Sequence, residues 1–507
     1  MKNRYRMWIA AVVALTASAA WTQDAGNPQT PTAPPDSQPQ SGSAPAPAFG
    51  QDNGPAPVSE NPPITALDQP GLEPHAAPLS YLQPALHVSE AVDSNVADTL
   101  GNSSIRSVSR ILGSVILQRL WSNYALALEY EGGAGYYNAP GIGWRQVQQM
   151  DLDQKISWKR GQLGIRNSFS YMPEGNYGAA YGSTGGIGEI LGGSAFGGGN
   201  GFQGGAQLGA VGQAPRIVDL ALVDVVENLT PKSSVTLAGG YGFAHFLGND
   251  VGTAGISYLG NTEASVELAY DRILGPHDQA ALVYGYQAFN FSVSQLAFHS
   301  NVVQLLWGHR ISGRMDFLIG AGPQFTHIFE VVPECSAPFL PVADCVADGS
   351  TLTYLATPTS RITAAGRASL RYKFPRTYVS LGYYRYNTSG SGLFAGSLSD
   401  VASLSATRPL GRVWSAFADM GYAHNSRLQD STSGAPANTY DYGFAGVGVH
   451  RMLTRTLHAF VSYQFNEISF DQSFCSSVAP GTACSRIGQR HVGAVGIDWT
   501  PRPMRLD

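Results

Sequence analysis

The chain of 507 residues carries 31 Lys and Arg against 36 Asp and Glu, a net charge of −5, and only 13% of its residues are charged while 59 are Gly. So small an imbalance gives no sign of nucleic acid or another strongly charged partner. Hydrophobic residues make up 43%, yet after the N-terminus no apolar run approaches the roughly 18 residues of a membrane helix, which excludes a helical membrane protein.

Residues 1–20 read as a Sec-type signal peptide. Lys2, Arg4 and Arg6 precede an apolar stretch from Met7 to Leu15 and the small residues Ala17, Ser18, Ala19 and Ala20, with cleavage expected after Ala19 or Ala20. Residues 21–80 are rich in Pro, Ala, Gln and Ser and bury too little apolar surface to offset their ordering entropy. A disordered or polyproline-like periplasmic segment is expected there.

From residue 81 the chain reads as one meander. Short turns fall at Trp121-Ser122-Asn123, Lys159-Arg160-Gly161, Thr230-Pro231-Lys232, Gly275-Pro276-His277-Asp278, Ser312-Gly313, Pro375-Arg376, Leu410-Gly411 and Thr454-Arg455. Longer loops rich in Gly, Ser, Asn and Pro alternate with them. The strand-like segments between are 81–92, 105–119, 123–137, 144–158, 162–172, 215–228, 233–246, 258–273 and 279–291. They continue as 298–311, 314–329, 357–374, 377–387, 396–409, 412–424, 439–453, 456–470 and 487–499.

The fold class expected is therefore all-β: a transmembrane antiparallel barrel of about 18 strands, within 16–18, over residues 81–499. Its short turns would be periplasmic and its long loops external, with a tail at 500–507. The segment 456–470 shows the pattern most cleanly: Leu457, Ala459, Val461, Tyr463 and Phe465 alternate with His458, Ser462, Gln464 and Asn466, sending one set to each side of a sheet. In 215–228, Asp219 and Asp224 fall on opposite phases, and a bulge is expected between them. A soluble sandwich would alternate equally well. However, Trp121, Trp158, Trp307, Trp414 and Trp499 all stand near a short turn or the last strand end, which suits a girdle at a membrane surface.

Two segments carry one sign of charge on one face. Arg361, Arg367, Arg371 and Lys373 alternate with apolar residues, as do Glu263, Glu267 and Asp271. A Lys or Arg facing lipid at the midplane costs about 2–4 kcal/mol, so these basic and acidic side chains are expected to line the lumen. Cys335 and Cys345 lie in one external loop and Cys475 and Cys484 in another. Export permits disulfides, and of the three connectivities the one with two local bonds, each within its own loop, is expected. Neither pair has histidine at zinc-ligand spacing, so no metal is expected.

Signal peptide, even-numbered meander, girdle and the last strand His491-Val492-Gly493-Ala494-Val495-Gly496-Ile497-Asp498-Trp499 resemble the bacterial outer-membrane porin superfamily. The final strand is similar to the assembly signal of such barrels, although the chain runs on through Pro501 to Asp507. The resemblance implies a channel in the bacterial outer membrane for passive diffusion of small hydrophilic solutes. The partners it implies are outer-membrane lipid and lipopolysaccharide, the barrel assembly machinery and small solutes, with homo-oligomerisation left open. It also implies that the long loop from Pro173 to Pro215, sixteen glycines between Gly175 and Gly212 with Glu174 and Glu189, folds inward as a constriction. A filled barrel with a structural or surface-interaction role is the alternative. No cofactor and no catalysis are expected: His458 and Ser462 share a face but lie roughly 13 Å apart along a strand.

Overall fold

The computed structural model describes residues 80–96, 100–101, 104–172, 215–247, 259–291, 297–335, 352–390, 393–428, 437–476 and 484–506. The expected signal peptide, nearly all of the Pro-rich segment, Glu174, Glu189 and Cys345 lie outside them.

Eighteen long strands form one antiparallel sheet. They begin with β1 (Tyr81–Asp93), β2 (Arg106–Leu120), β3 (Tyr124–Tyr137), β4 (Gly143–Trp158), β5 (Gly161–Met172) and β6 (Arg216–Thr230). Next come β7 (Ser233–Phe246), β8 (Asn261–Ile273), β9 (Asp278–Phe291), β10 (Ala297–Ser312), β11 (Met315–Cys335) and β12 (Leu352–Lys373). The last are β13 (Tyr378–Thr388), β14 (Ser397–Pro409), β15 (Trp414–Arg427), β16 (Thr439–Met452), β17 (Leu457–Phe470) and β18 (Ile487–Trp499), with a single helical turn α1 (Ser473–Ser476) before β18. Each strand pairs with its sequence neighbours, and β18 pairs with β1 from Leu86↔Trp499 to Asp93↔Val492. The sheet is thereby a closed barrel with no free edge.

All eight short turns stand where the sequence places them, and three share one device. Thr454 Oγ1 accepts the backbone N–H groups of Thr456 and Leu457 at 3.2 and 3.1 Å. Thr230 Oγ1 accepts from Lys232, and Ser312 Oγ from Arg314, both at 3.2 Å. A hydroxyl opening the turn thus satisfies N–H groups that the ladder cannot reach.

Three expectations need correction. β11 and β12 pair as far as Cys335↔Leu352, five residues beyond the expected strand start at 357, so this hairpin is the longest in the wall. The expected tail contributes a two-residue strand, β19 (Met504–Arg505), paired with Tyr81 and Leu82. No bulge separates Asp219 from Asp224: the β6 to β7 register is continuous from Arg216 to Asn228 and shifts only next to the turn. Asp219 faces outward and accepts the Asn167 side-chain amide at 2.7 Å.

Alternation divides the wall cleanly. Leu237, Leu282, Leu305, Ile319, Val447, Val461 and Val495 are exposed on the outside, and each stands between inward residues such as Thr236, Val283, Gln304, Phe460 and Ala494 that are buried. The five tryptophans at the short-turn end are uniformly 40–46% exposed. Arg119 and Arg451 lie over Trp121 and Trp414, each 5.1 Å from the ring centroid.

Toward the loops the apolar outer face ends in a polar row. Arg385, Asp400, His424 and Asp441 are direct cross-strand partners on β13 to β16. Asp400 bonds Arg385 at 3.1 Å and Asp441 bonds His424 at 2.7 Å. Tyr383 and Tyr422 donate to the same two carboxylates from below at 2.7 and 2.8 Å. On β15, Trp414 and His424 stand ten residues apart. At about 3.3 Å per residue and a tilt of about 40°, that separation spans about 25 Å, the height of the apolar band of an outer-membrane barrel.

The loop end of the interior is packed. Gly390 (φ 76°) and Gly396 (φ 90°) are in left-handed backbone, and Leu393 and Phe394 beside them are buried. Phe394 meets Tyr440 at 5.1 Å between centroids, and Phe470 stacks on Phe474 of α1 at 4.5 Å. Cys475 and Cys484 are disulfide-bonded, tying α1 to the start of β18.

Candidate functional site: the inner wall of the barrel

Every expected lumen-facing residue in the described strands lies on the inner phase of its strand. On β12, Arg361 is paired with Thr326, Arg367 with Gly320 and Arg371 with Asp316, while Lys373 is paired with Tyr378. Arg371 Nε donates to Asp316 Oδ1 at 2.8 Å, so this base is neutralised by the adjoining strand. Arg361 is exposed, whereas Arg367 is buried.

On β8, Glu263, Glu267 and Asp271 share the inner face, and Glu267 and Asp271 are buried. Both carboxylate oxygens of Glu267, which is 1% exposed, lack a hydrogen-bond partner. Arg367 acts electrostatically on Glu267 and on Tyr386, and Tyr386 donates to Gln304 Oε1 at 3.3 Å. The expected basic and acidic faces thus meet across β8 to β13.

A second charged region was not singled out from the sequence. Glu129 stands directly opposite Asp151 and Glu131 opposite Gln149 on the inner phases of β3 and β4. Gln149 Nε2 donates to Asp151 Oδ2 at 2.7 Å, and Arg166 of β5 pairs with Asp153 at 3.4 Å. Across the closing seam, His87 Nδ1 bonds Asp498 Oδ1 at 2.8 Å, while its Nε2 lies 3.3 Å from Ser114 Oγ and 3.9 Å from Glu131. Alternation placed Glu129 and Glu131 on one phase, but only the cross-strand register brings the acids of β3, β4 and β18 together.

Hydroxyl, imidazole and carboxylate here follow the order used by serine hydrolases. The arrangement lacks the rest of that chemistry. Glu131 lies against the same imidazole nitrogen, and Ser114 is laddered to Ala85 on one side and Glu131 on the other, so strand N–H groups are not free to stabilise an oxyanion. Among the described residues, no three His, Cys, Asp or Glu side chains are placed to hold a metal ion.

At the loop end the inner face is rich in arginine, with Asp93 of β1 among them. Arg106 and Arg110 of β2, Arg145 of β4, Arg216 of β6, Arg427 of β15 and Arg490 of β18 all stand within five residues of a loop-side strand end. Arg110 donates to Tyr137 Oη at 2.7 Å and Arg427 to Asn438 Oδ1 at 2.7 Å. The carboxylates Glu129, Asp151, Asp224, Asp271 and Asp498 stand nearer the short turns, with Glu131 and Glu267 at mid-strand.

No family model and no curated protein matches the sequence. Among solved structures, the chain is similar to the open form of the ferric-catecholate import receptor Fiu of Escherichia coli K12, at 6% identity over 82% of this chain and 81% of that one, with a TM-score of 0.41. It is also similar to the outer membrane protein OpdK of Pseudomonas aeruginosa, at 9% identity over 83% and 98% with a TM-score of 0.36. OccAB2 of Acinetobacter baumannii gives 8% identity over 84% and 98%, with a TM-score of 0.36. The closed wall of eighteen long strands, its apolar outer band and its tryptophan girdle make this chain an outer-membrane β-barrel of porin-like architecture.

Proposed function

We propose that the barrel is a porin-like channel through which small hydrophilic solutes cross the outer membrane by passive diffusion. The observation that carries this reading is the composition of the inner wall. Charged side chains of both signs face inward on β1 to β6, β8, β12 and β18, whereas a barrel filled for stability alone would be expected to bury apolar residues there. Opposed acids and bases around a lumen are a means of selecting solutes by charge. Conductance of the purified protein in a planar bilayer tests the reading: discrete steps in dilute KCl are expected.

A second reading, a filled barrel with a structural or surface-interaction role, draws on the apolar cluster at the loop end. Val302, Tyr386, Phe394, Tyr440 and Phe470 are buried together there. The same bilayer measurement separates the two, because a filled barrel carries no current.

A further inference from the structure

We propose that the inner wall formed by β18, β1, β3 and β4 is a binding site for an organic cation, taking the ammonium or guanidinium group of a solute. As a statement about what permeates, it rests on the channel reading above.

The site is rich in acceptors. Glu129 and Asp151 are direct cross-strand partners, so two carboxylates stand side by side on this wall. Glu131, next on the same face of β3, interacts electrostatically with Asp151 and Asp498 as well as with His87 and Arg110. Glu131 is 7% exposed, and no hydrogen bond reaches its carboxylate: its nearest base, His87, stands 3.9 Å away and bonds Asp498 instead. Gln149, opposite Glu131, spends its amide N–H on Asp151 and leaves Oε1 buried without a partner. Gln149 Oε1 is thus withdrawn from water beside the Glu131 carboxylate without a donor of its own, a cost that a bound donor would relieve.

The missing donor is a compact cation. An ammonium offers three N–H groups and a guanidinium five, with no acceptor to clash against the carboxylates. A bare metal ion fits poorly, since the described residues hold no three-ligand group. The wall is reachable from inside, because the side chains of His87, Glu131 and Asp498 keep 17%, 9% and 7% of their exposure.

Spermidine serves as the probe. Calorimetric titration into the purified full-length barrel in a non-ionic detergent is expected to show saturable binding. Glu131→Gln, which keeps the shape and removes the charge, is expected to weaken it about tenfold, the loss of one charge-assisted hydrogen bond. Asp151→Asn gives the same test at a second position should the first variant fail to assemble, and Asp400→Asn on the outer face is expected to bind as the native protein does. No binding by the native barrel, or equal affinity in Glu131→Gln and Asp151→Asn, overturns the proposal. This result is independent of conductance: a barrel that binds spermidine but passes no current refutes the channel and keeps the site, while one that conducts but does not bind refutes the site alone.

Discussion

Arg490 Nε donates to Asp93 Oδ2 at 2.9 Å, joining residues 397 positions apart where the last strand of the barrel meets the first. Both side chains are almost completely buried, and the other carboxylate oxygen, Asp93 Oδ1, accepts the Asn95 backbone N–H at 2.8 Å. His87 and Asp498 hold the same seam nearer the short turns. Closure therefore depends on two polar contacts as well as on backbone pairing.

Removing one partner of the buried pair leaves the other charge uncompensated, which costs about 3–5 kcal/mol. Arg490→Ala is accordingly expected to lower the temperature at which the detergent-solubilised barrel unfolds. The double variant Asp93→Asn with Arg490→Gln should recover part of the loss. Heat-modifiability on a denaturing gel measures it, and an unchanged transition in Arg490→Ala would mean that the pair does not fasten the seam.

The apolar band makes a depth-dependent prediction. Val461 lies outward within the band and Ile487 beyond its loop-side edge, and both are exposed. Val461→Arg should destabilise the folded barrel by about 2–4 kcal/mol in lipid and Ile487→Arg by about 0–1 kcal/mol. Equal costs at the two positions would place the band elsewhere.

Much of this architecture was legible in the sequence because alternation and turn chemistry are local. Leu457, Val461 and Tyr463 on one phase, with Ser462 and Gln464 on the other, suffice to orient β17, and the tryptophans mark one end. What alternation cannot carry is the offset of one strand against the next. Asp219 looked like a register error because its partner, Asn167, comes from β5. The acid wall of Glu129, Glu131, Asp151 and Asp498 likewise exists only once three separate strands are aligned. Leu393 and Phe394 gave no periodic signal, since their burial depends on long-range packing.

Outside the membrane band, Asp471 ties the start of β16 to α1. Burial pushes its carboxyl up, but hydrogen bonds from the Ser473 hydroxyl and from the backbone N–H groups of Asn438, Thr439 and Ser473 outweigh this and hold it below the usual aspartate range. A carboxyl depressed on folding contributes stability above its unfolded value, and that contribution is lost as pH falls through the lower folded value. The amide resonances of Asn438 and Thr439 should titrate with a midpoint below that of an unperturbed aspartate, and Asp471→Asn should abolish the transition. A midpoint at or above the ordinary value would contradict the assignment.

The Cys475 to Cys484 bond closes a loop of about ten residues, worth roughly 2–3 kcal/mol in the chain-entropy model. Non-reducing peptide mapping should recover Cys475 linked to Cys484, and the same local rule expects Cys335 linked to Cys345. A peptide joining one loop to the other would refute local pairing.

The claim that the inner wall is a conducting path is tested most directly by current through the purified protein in a planar bilayer under a salt gradient, in the native form and with Arg361→Glu and Arg367→Glu together. Discrete conductance steps are expected, with the reversal potential of the double variant shifted toward cation selectivity because two inward positive charges become negative. Steps whose reversal potential ignores both substitutions would remove β12 from the path, and the absence of any current from correctly folded native protein would contradict the channel itself.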